Sequence, residues 1–242
     1  MTHTAIGHKT RGLTWLDVLR IAAIVIVGWA VVLQVTVGVI IPPVLGVGLA
    51  FAALMAFLRS GRRWPGMVAA ALGLASVIGN IPSLVEELSH PSSALAFTLT
   101  LVAAAAALVL VVAGLAVFFS WSANPMALLW GWAGVVAVGA IVSFVAAAAV
   151  ESIPATEGDV VVVARSNTFA PDRLTASAGR VAVWVENRDG ARHTFTAPDV
   201  GVDLEIVGLK SQRVEFDASP GEYAVFCTVV GHEGMVATLV VG

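Results

Sequence analysis

Charge is scarce in this sequence. Of its 242 residues 12% are Asp, Glu, Lys or Arg and 58% are hydrophobic, whereas a soluble domain carries about 25% charged residues. The shortage excludes a chain that is bathed in water throughout, and it points to lipid. Cysteine is scarcer still. Cys227 is the only one, so no disulfide can form within the chain and pairing says nothing about the redox compartment. Basic residues are outnumbered, 13 against 16 acidic ones. The phosphates of nucleic acid require a basic footprint, so a nucleic-acid partner is not expected. Histidines number five, at positions 3, 8, 90, 193 and 232, and that short supply bounds any metal chemistry.

What is present is unevenly spread. From Thr14 to Val150 the chain is mostly Ala, Val, Leu, Ile and Gly, and after Glu151 it becomes an ordinary mixed sequence. The shift predicts a transmembrane helical domain over residues 1–150, a linker at 151–157 (Ser-Ile-Pro-Ala-Thr within it) and a second domain over 158–242. Charge divides at the same place. The first part holds Lys9, Arg11, Arg20, Arg59, Arg62 and Arg63 against Asp17, Glu86 and Glu87, a net of +3, and the remainder is −6, giving the chain's −3.

A spanning helix needs about 20 apolar residues. Five segments qualify: Trp15–Val35, Ile40–Leu58, Gly66–Leu84, Ala94–Trp121 and Leu128–Val150. The run from Ile21 to Leu58 is too long for one span at about 1.5 Å per residue, and Gly38 with Pro42-Pro43 supplies the turn that splits it. Lys9 and Arg11 precede the first span, while Arg59, Arg62 and Arg63 follow the second. A hairpin of those two spans puts both clusters on one side, which the positive-inside rule makes cytoplasmic. The segment with Glu86, Glu87 and His90 then reads as an outer loop. An odd number of spans carries the C-terminal domain across the plasma membrane to the outer face. The first span has a basic start but no small-x-small pattern before Gln34, so it reads as an uncleaved anchor. Asp17 and Arg20 can pair at i,i+3 spacing, and Gln34 and Asn80 stand isolated. No acid chain for proton transfer and no pair of haem-binding histidines is visible in this half.

Beyond Asp159 short runs rich in Val, Thr and Phe recur between Gly, Pro, Asn and Asp: 160–165, 173–177, 180–186, 193–196, 202–207, 212–216, 222–227 and 236–241. About eight short strands predict an antiparallel sandwich, with Phe169, Trp184 and Phe195 in its core. The segment Tyr223-Ala-Val-Phe-Cys-Thr-Val-Val-Gly-His-Glu-Gly-Met235 then closes the chain's last turn before a final strand. It sets a thiolate, an imidazole and a thioether on one loop. Thiolate, two imidazoles and a weak axial thioether suit copper cycling between Cu(I) and Cu(II). The remaining ligand must come from elsewhere, and His193 is the other histidine of this domain.

His193 follows Ala178-Gly-Arg-Val-Ala-Val-Trp-Val-Glu-Asn-Arg-Asp189. A strand ending in Asn with Asp nearby, then a histidine, then the Cys-His-Met loop resembles the cupredoxin family, the type 1 blue copper proteins of the plastocyanin and azurin kind. The likeness covers nearly the whole outer domain and none of the helices. It implies a Greek-key all-β sandwich holding one mononuclear copper, with His193, Cys227 and His232 as equatorial ligands and Met235 as the axial one. Asn187 is then expected to pin the first-ligand loop from just outside the ligand set. Only Glu233 and Gly234 separate His232 from Met235, fewer than the family commonly has. The short loop either delivers Met235, lengthens its bond or leaves the axial position open.

Five histidines and one cysteine are too few for the second copper centre of a multicopper oxidase or copper nitrite reductase, or for a binuclear site. The expectation is a non-enzymatic, membrane-anchored carrier of single electrons that meets a redox partner protein, with His232 as the electron gateway. Copper capture or delivery is the second reading, weakened by only five methionines. A metal-free interaction module is the third.

Overall fold

The computed structural model describes residues 12–37 and 40–242. Lys9, Arg11, His3, His8 and Gly38, on which part of the topology reading rests, lie outside the described residues. Six helices precede nine strands among the described residues: α1 Trp15–Val37, α2 Pro42–Phe57, α3 Trp64–Ile78, α4 Ile81–Leu88, α5 Ala94–Phe119 and α6 Met126–Ala149. Two compact units emerge. One holds the described residues up to Gly79 together with Ala103–Val135, and the other holds Asn80–Val102 with Val136–Gly242.

In the first unit the turn between α1 and α2 is closed by a side chain. Gln34 donates from Nε2 to the Ile41 carbonyl at 3.1 Å and accepts the Ile41 N–H on Oε1 at 2.7 Å. Backbone groups buried in an apolar medium must find partners within the protein, so Gln34, isolated in sequence, is a stitch in space. Thr14 caps α1, exchanging hydrogen bonds with Asp17, and Asp17 also pairs with Arg20 at 3.6 Å. α3 lies close on α5 at Gly73, where an added Cβ would stand 2.7 Å from the Ala107 carbonyl oxygen.

Four helices (α1, α2 with its short 3-10 extension, α5 and α6) are each long and apolar enough to cross a membrane. The third expected span is not one straight helix. It breaks at Gly79–Asn80 into α3 and α4, bent by 62°, and the pair qualifies as a span only when taken together. Pro82 explains the restart: with no N–H and a fixed φ it fits the first turn of a new helix and not the middle of an old one. Glu86 and Glu87, expected on a loop, therefore sit in the last turn of α4.

In the second unit the strands form two sheets. One has the order β2-β1-β4-β7 and the other β3-β9-β8-β5-β6, with β1 Val160–Arg165, β2 Thr168–Ala170, β3 Arg173–Ala176, β4 Gly179–Asn187, β5 His193–Ala197, β6 Val202–Ile206, β7 Ser211–Ala218, β8 Gly221–Phe226 and β9 Val236–Val241. Two pairings, β1 with β4 and β3 with β9, are parallel, so the sandwich is mixed rather than wholly antiparallel. The chain leaves β1 for β2, crosses to the other sheet at β3, and returns beside β1 in the same direction, which a hairpin cannot do. β2 is an addition to the eight expected strands, only three residues long.

Alternation places the core. Val181, Val183 and Val185 of β4 point inward and are buried, as a period of two demands. Trp184 falls on the opposite face, correcting its expected place in the core, and its Nε1–H donates to the Ile153 carbonyl at 2.6 Å. Phe169 and Phe195 are buried and meet edge to face, centroids 6.0 Å apart. Glu151 and Ile153 of the expected linker hydrogen-bond along β7, to Gln212 and Ser211.

Candidate metal centre

Three chain segments meet at one end of the sandwich. β5 begins at His193, Cys227 follows the last residue of β8, and Met235 precedes β9. Between the last two the loop folds tightly. His232 N–H bonds the Val229 carbonyl at 3.0 Å, Met235 N–H bonds the His232 carbonyl at 2.8 Å, and Cys227 N–H bonds the Met235 carbonyl at 3.0 Å. Gly231, at φ +88°, turns the chain just before His232 in a conformation that side-chain-bearing residues rarely adopt. Local sequence thus returns the chain on itself within nine residues and gathers Cys227, His232 and Met235.

The donor atoms converge. His193 Nδ1 lies 3.1 Å from His232 Nδ1, and Cys227 Sγ lies 4.0 and 3.7 Å from the same two nitrogens. First-row metal bonds of about 2.0 Å to imidazole and about 2.3 Å to thiolate, arranged trigonally, separate their ligands by about 3.5–3.7 Å. The observed separations bracket that spacing, so the three side chains fit a single ion. His193 is fully buried, Cys227 nearly so and His232 partly exposed. Met235 is fully buried.

The surroundings of each side chain fix its chemical form. His193 Nε2 lies 2.9 Å from Asp189 Oδ2. A carboxylate there holds the proton on Nε2 and leaves the Nδ1 lone pair free for a metal. Asp189 is itself oriented by the N–H groups of Ser166 at 2.9 Å and Asn167 at 3.4 Å. Burial pushes its carboxyl up, but the Ser166 N–H, the His193 ring and the Asn167 N–H outweigh that and hold it below the usual range. Cys227 follows the same logic. Burial pushes the thiol up, yet the two imidazoles and the N–H groups of Thr194 and Val229 bring it down from 9.0 to about 5, and the Thr194 N–H stands 3.3 Å from Sγ. A thiolate is the form that binds metal.

Asn187, buried at the end of β4, secures the loop between the strand and His193. Its Nδ2 donates to the carbonyls of Ala191 at 2.8 Å and Ile206 at 3.0 Å, and its Oδ1 accepts the Asp189 N–H at 2.9 Å. β5 and β8 share one bridge, Thr196 with Phe226. Nearer the site, side chains take over from the ladder. Thr228 N–H bonds Thr194 Oγ1 at 2.8 Å, and a chain of hydroxyls runs Thr228, Thr194, Thr196 to Asp203 Oδ1 in steps of 3.0, 3.0 and 2.8 Å. Sequence reasoning assigned no role to Asp189 or to this threonine chain. The Asn-x-Asp at the strand end, four residues before the histidine, was the available signal for the first. The second depends on which strands become neighbours and has no local signature.

Comparison with known proteins agrees with this architecture. Residues 134–241 match the family model of the cupredoxin-like domain. Similar solved structures include a proline-to-glycine variant of amicyanin in its reduced Cu(I) form, 18% identical over 38% of this chain and 90% of that one, with a TM-score of 0.33. A methionine-to-alanine variant of amicyanin in the Cu(I) form is 19% identical with the same coverage and score. A copper-containing nitrite reductase from Thermus scotoductus SA-01 is 24% identical over 39% of this chain and 24% of its own, with a TM-score of 0.30. No curated protein matches.

Proposed function

We propose that this chain, which bears a cupredoxin-like domain after a series of membrane-length helices, is a membrane-anchored type 1 copper protein that passes single electrons. The observation that carries the reading is the meeting of Cys227 Sγ with the Nδ1 atoms of His193 and His232 within one ion's reach, with the other face of His193 tied to a carboxylate. Copper, when bound, supplies a one-electron couple between Cu(I) and Cu(II). His193, Cys227 and His232 would hold it, Met235 would complete the ligand set, and Asn187 fixes the His193 loop. Four protein ligands leave no position for a substrate, which favours a carrier over an enzyme.

The scaffold suits that task. Hydrogen bonds to Asp189, Asn187 and Thr194 lock the ligands before metal arrives, so a change of oxidation state moves little. His232, the ligand that reaches solvent, is the port for the electron. In this reading residues 1–150 anchor the protein in the plasma membrane, 151–157 link, and 158–242 form the copper domain on the outer face. Arg59, Arg62 and Arg63, between α2 and α3, favour that orientation. The redox partner is a protein that meets the copper domain at the membrane.

The test is the optical and EPR spectrum of the full chain in detergent, loaded with Cu(II). An intense thiolate-to-copper band in the visible with narrow copper hyperfine splitting is the expected result, and Cys227→Ser should abolish both. Tight Cu(I) binding without that signature in Cu(II) would replace electron transfer with copper handling. No binding in either state would remove copper from the account.

A further inference from the structure

The outer domain is not the sole source of groups around the candidate centre. α4 and the start of α5 belong to the same compact unit as the sandwich, and side chains from this stretch reach the segment that carries His193. The Glu86 carboxylate pairs with the guanidinium of Arg192, whose side chain is 4% exposed, and Arg192 is the residue before His193. His90 Nε2 lies 3.5 Å from Glu205 on β6, directly across the ladder from Thr194. The loop at Gly190 rests on Leu95, so closely that an added Cβ would come within 3.0 Å of its Cδ2. Arg192 Nε is buried and has no hydrogen-bond partner among the described residues, so the guanidinium is held on this side by Glu86.

Partly buried charges are screened much less than exposed ones. The Arg192 side chain is 4% exposed, so removing its carboxylate partner leaves a buried positive charge next to His193, and removing the guanidinium leaves a negative one. Negative charge favours the more positive oxidation state of a metal, and positive charge the less positive one.

We propose that Glu86 and Arg192 are positioning residues of the metal centre: their ion pair anchors the His193 loop to the helical region, and its balance of charge beside His193 sets the reduction potential. The inference rests on the copper reading above and extends it. The helical half then sets the redox properties of the site as well as its location.

The test is spectroelectrochemistry of the copper-loaded full chain and its variants in detergent. Glu86→Gln leaves the guanidinium unopposed beside His193, so it should raise the potential, whereas Arg192→Gln should lower it and Arg192→Lys should leave it near the wild-type value. Opposite signs for the two partners of one ion pair are the mark of a charge effect, because simple loosening of the loop would move both the same way. Unmoved potentials for Glu86→Gln and Arg192→Gln, or shifts of one sign for both, would overturn the proposal while a blue wild-type spectrum left the copper reading intact. A wild-type chain without that spectrum overturns the copper reading and this inference together.

Discussion

The thiol of Cys227 shows how far neighbours can move a single group. Its proton is lost near pH 5 in the fold, against an ordinary value of 9.0, because hydrogen bonds outweigh burial. A folded value below the unfolded one means that the unfolded chain binds the proton more tightly, so stability rises with pH between the two. The metal-free chain should therefore be more stable at pH 9 than at pH 5, losing this contribution as pH falls through about 5. Thermal melts of the metal-free protein at several pH values check it, and Cys227→Ser should flatten that part of the profile. Asp189 offers a second prediction. Asp189→Asn keeps the shape but withdraws the charge that polarises His193, and loss of such an outer contact reduces metal affinity by about 10- to 100-fold, measurable by competition with a chelator. The gathering of Cys227, His232 and Met235 on one loop was legible in the sequence because nine residues of chain confine them. Asp189 was legible as a residue and not as a contact, since its bond to His193 exists only once Asn187 has folded the loop.

At the level of elements, hydrophobic pattern located most strands and helices and failed where direction or continuity mattered. Alternation in β4 gave its buried face, yet Trp184 was assigned by residue type instead of by its position in that alternation. Pairing direction has no local signal, which is why the parallel pairs β1–β4 and β3–β9 went unread. The break between α3 and α4 was written in Gly79 and Pro82, but length and hydropathy alone favoured one span. Helix packing at Gly73 carries its own prediction. Gly73→Ala forces a methyl to within 2.7 Å of the Ala107 carbonyl, and relieving it should separate α3 from α5 at a cost of about 1–3 kcal/mol. A lowered melting temperature in detergent, with the copper spectrum unchanged, is the expected outcome.

For the whole molecule, the decisive quantity is the parity of membrane crossings. Four helices qualify alone, and the bent α3–α4 pair makes five. With the N-terminus inside, five crossings deliver the copper domain to the outer face and four return it to the cytoplasm. The basic loop between α2 and α3 puts the N-terminus inside by the positive-inside rule, and the proposed external copper domain then requires five. A C-terminal alkaline phosphatase fusion should therefore be active in cells and a C-terminal green fluorescent protein fusion of the conventional kind dark, and the reverse pattern would assign the bent pair to a re-entrant fold.

Cys227 has no second cysteine anywhere in the chain. A metal-bound thiolate is withheld from thiol reagents that modify a free one, and here no other sulfur dilutes the signal. Cys227 is nearly buried, so a small reagent is needed to reach it, and the fall in its native sulfhydryl titre as copper is added follows occupancy without reference to colour, oxidation state or the membrane around it.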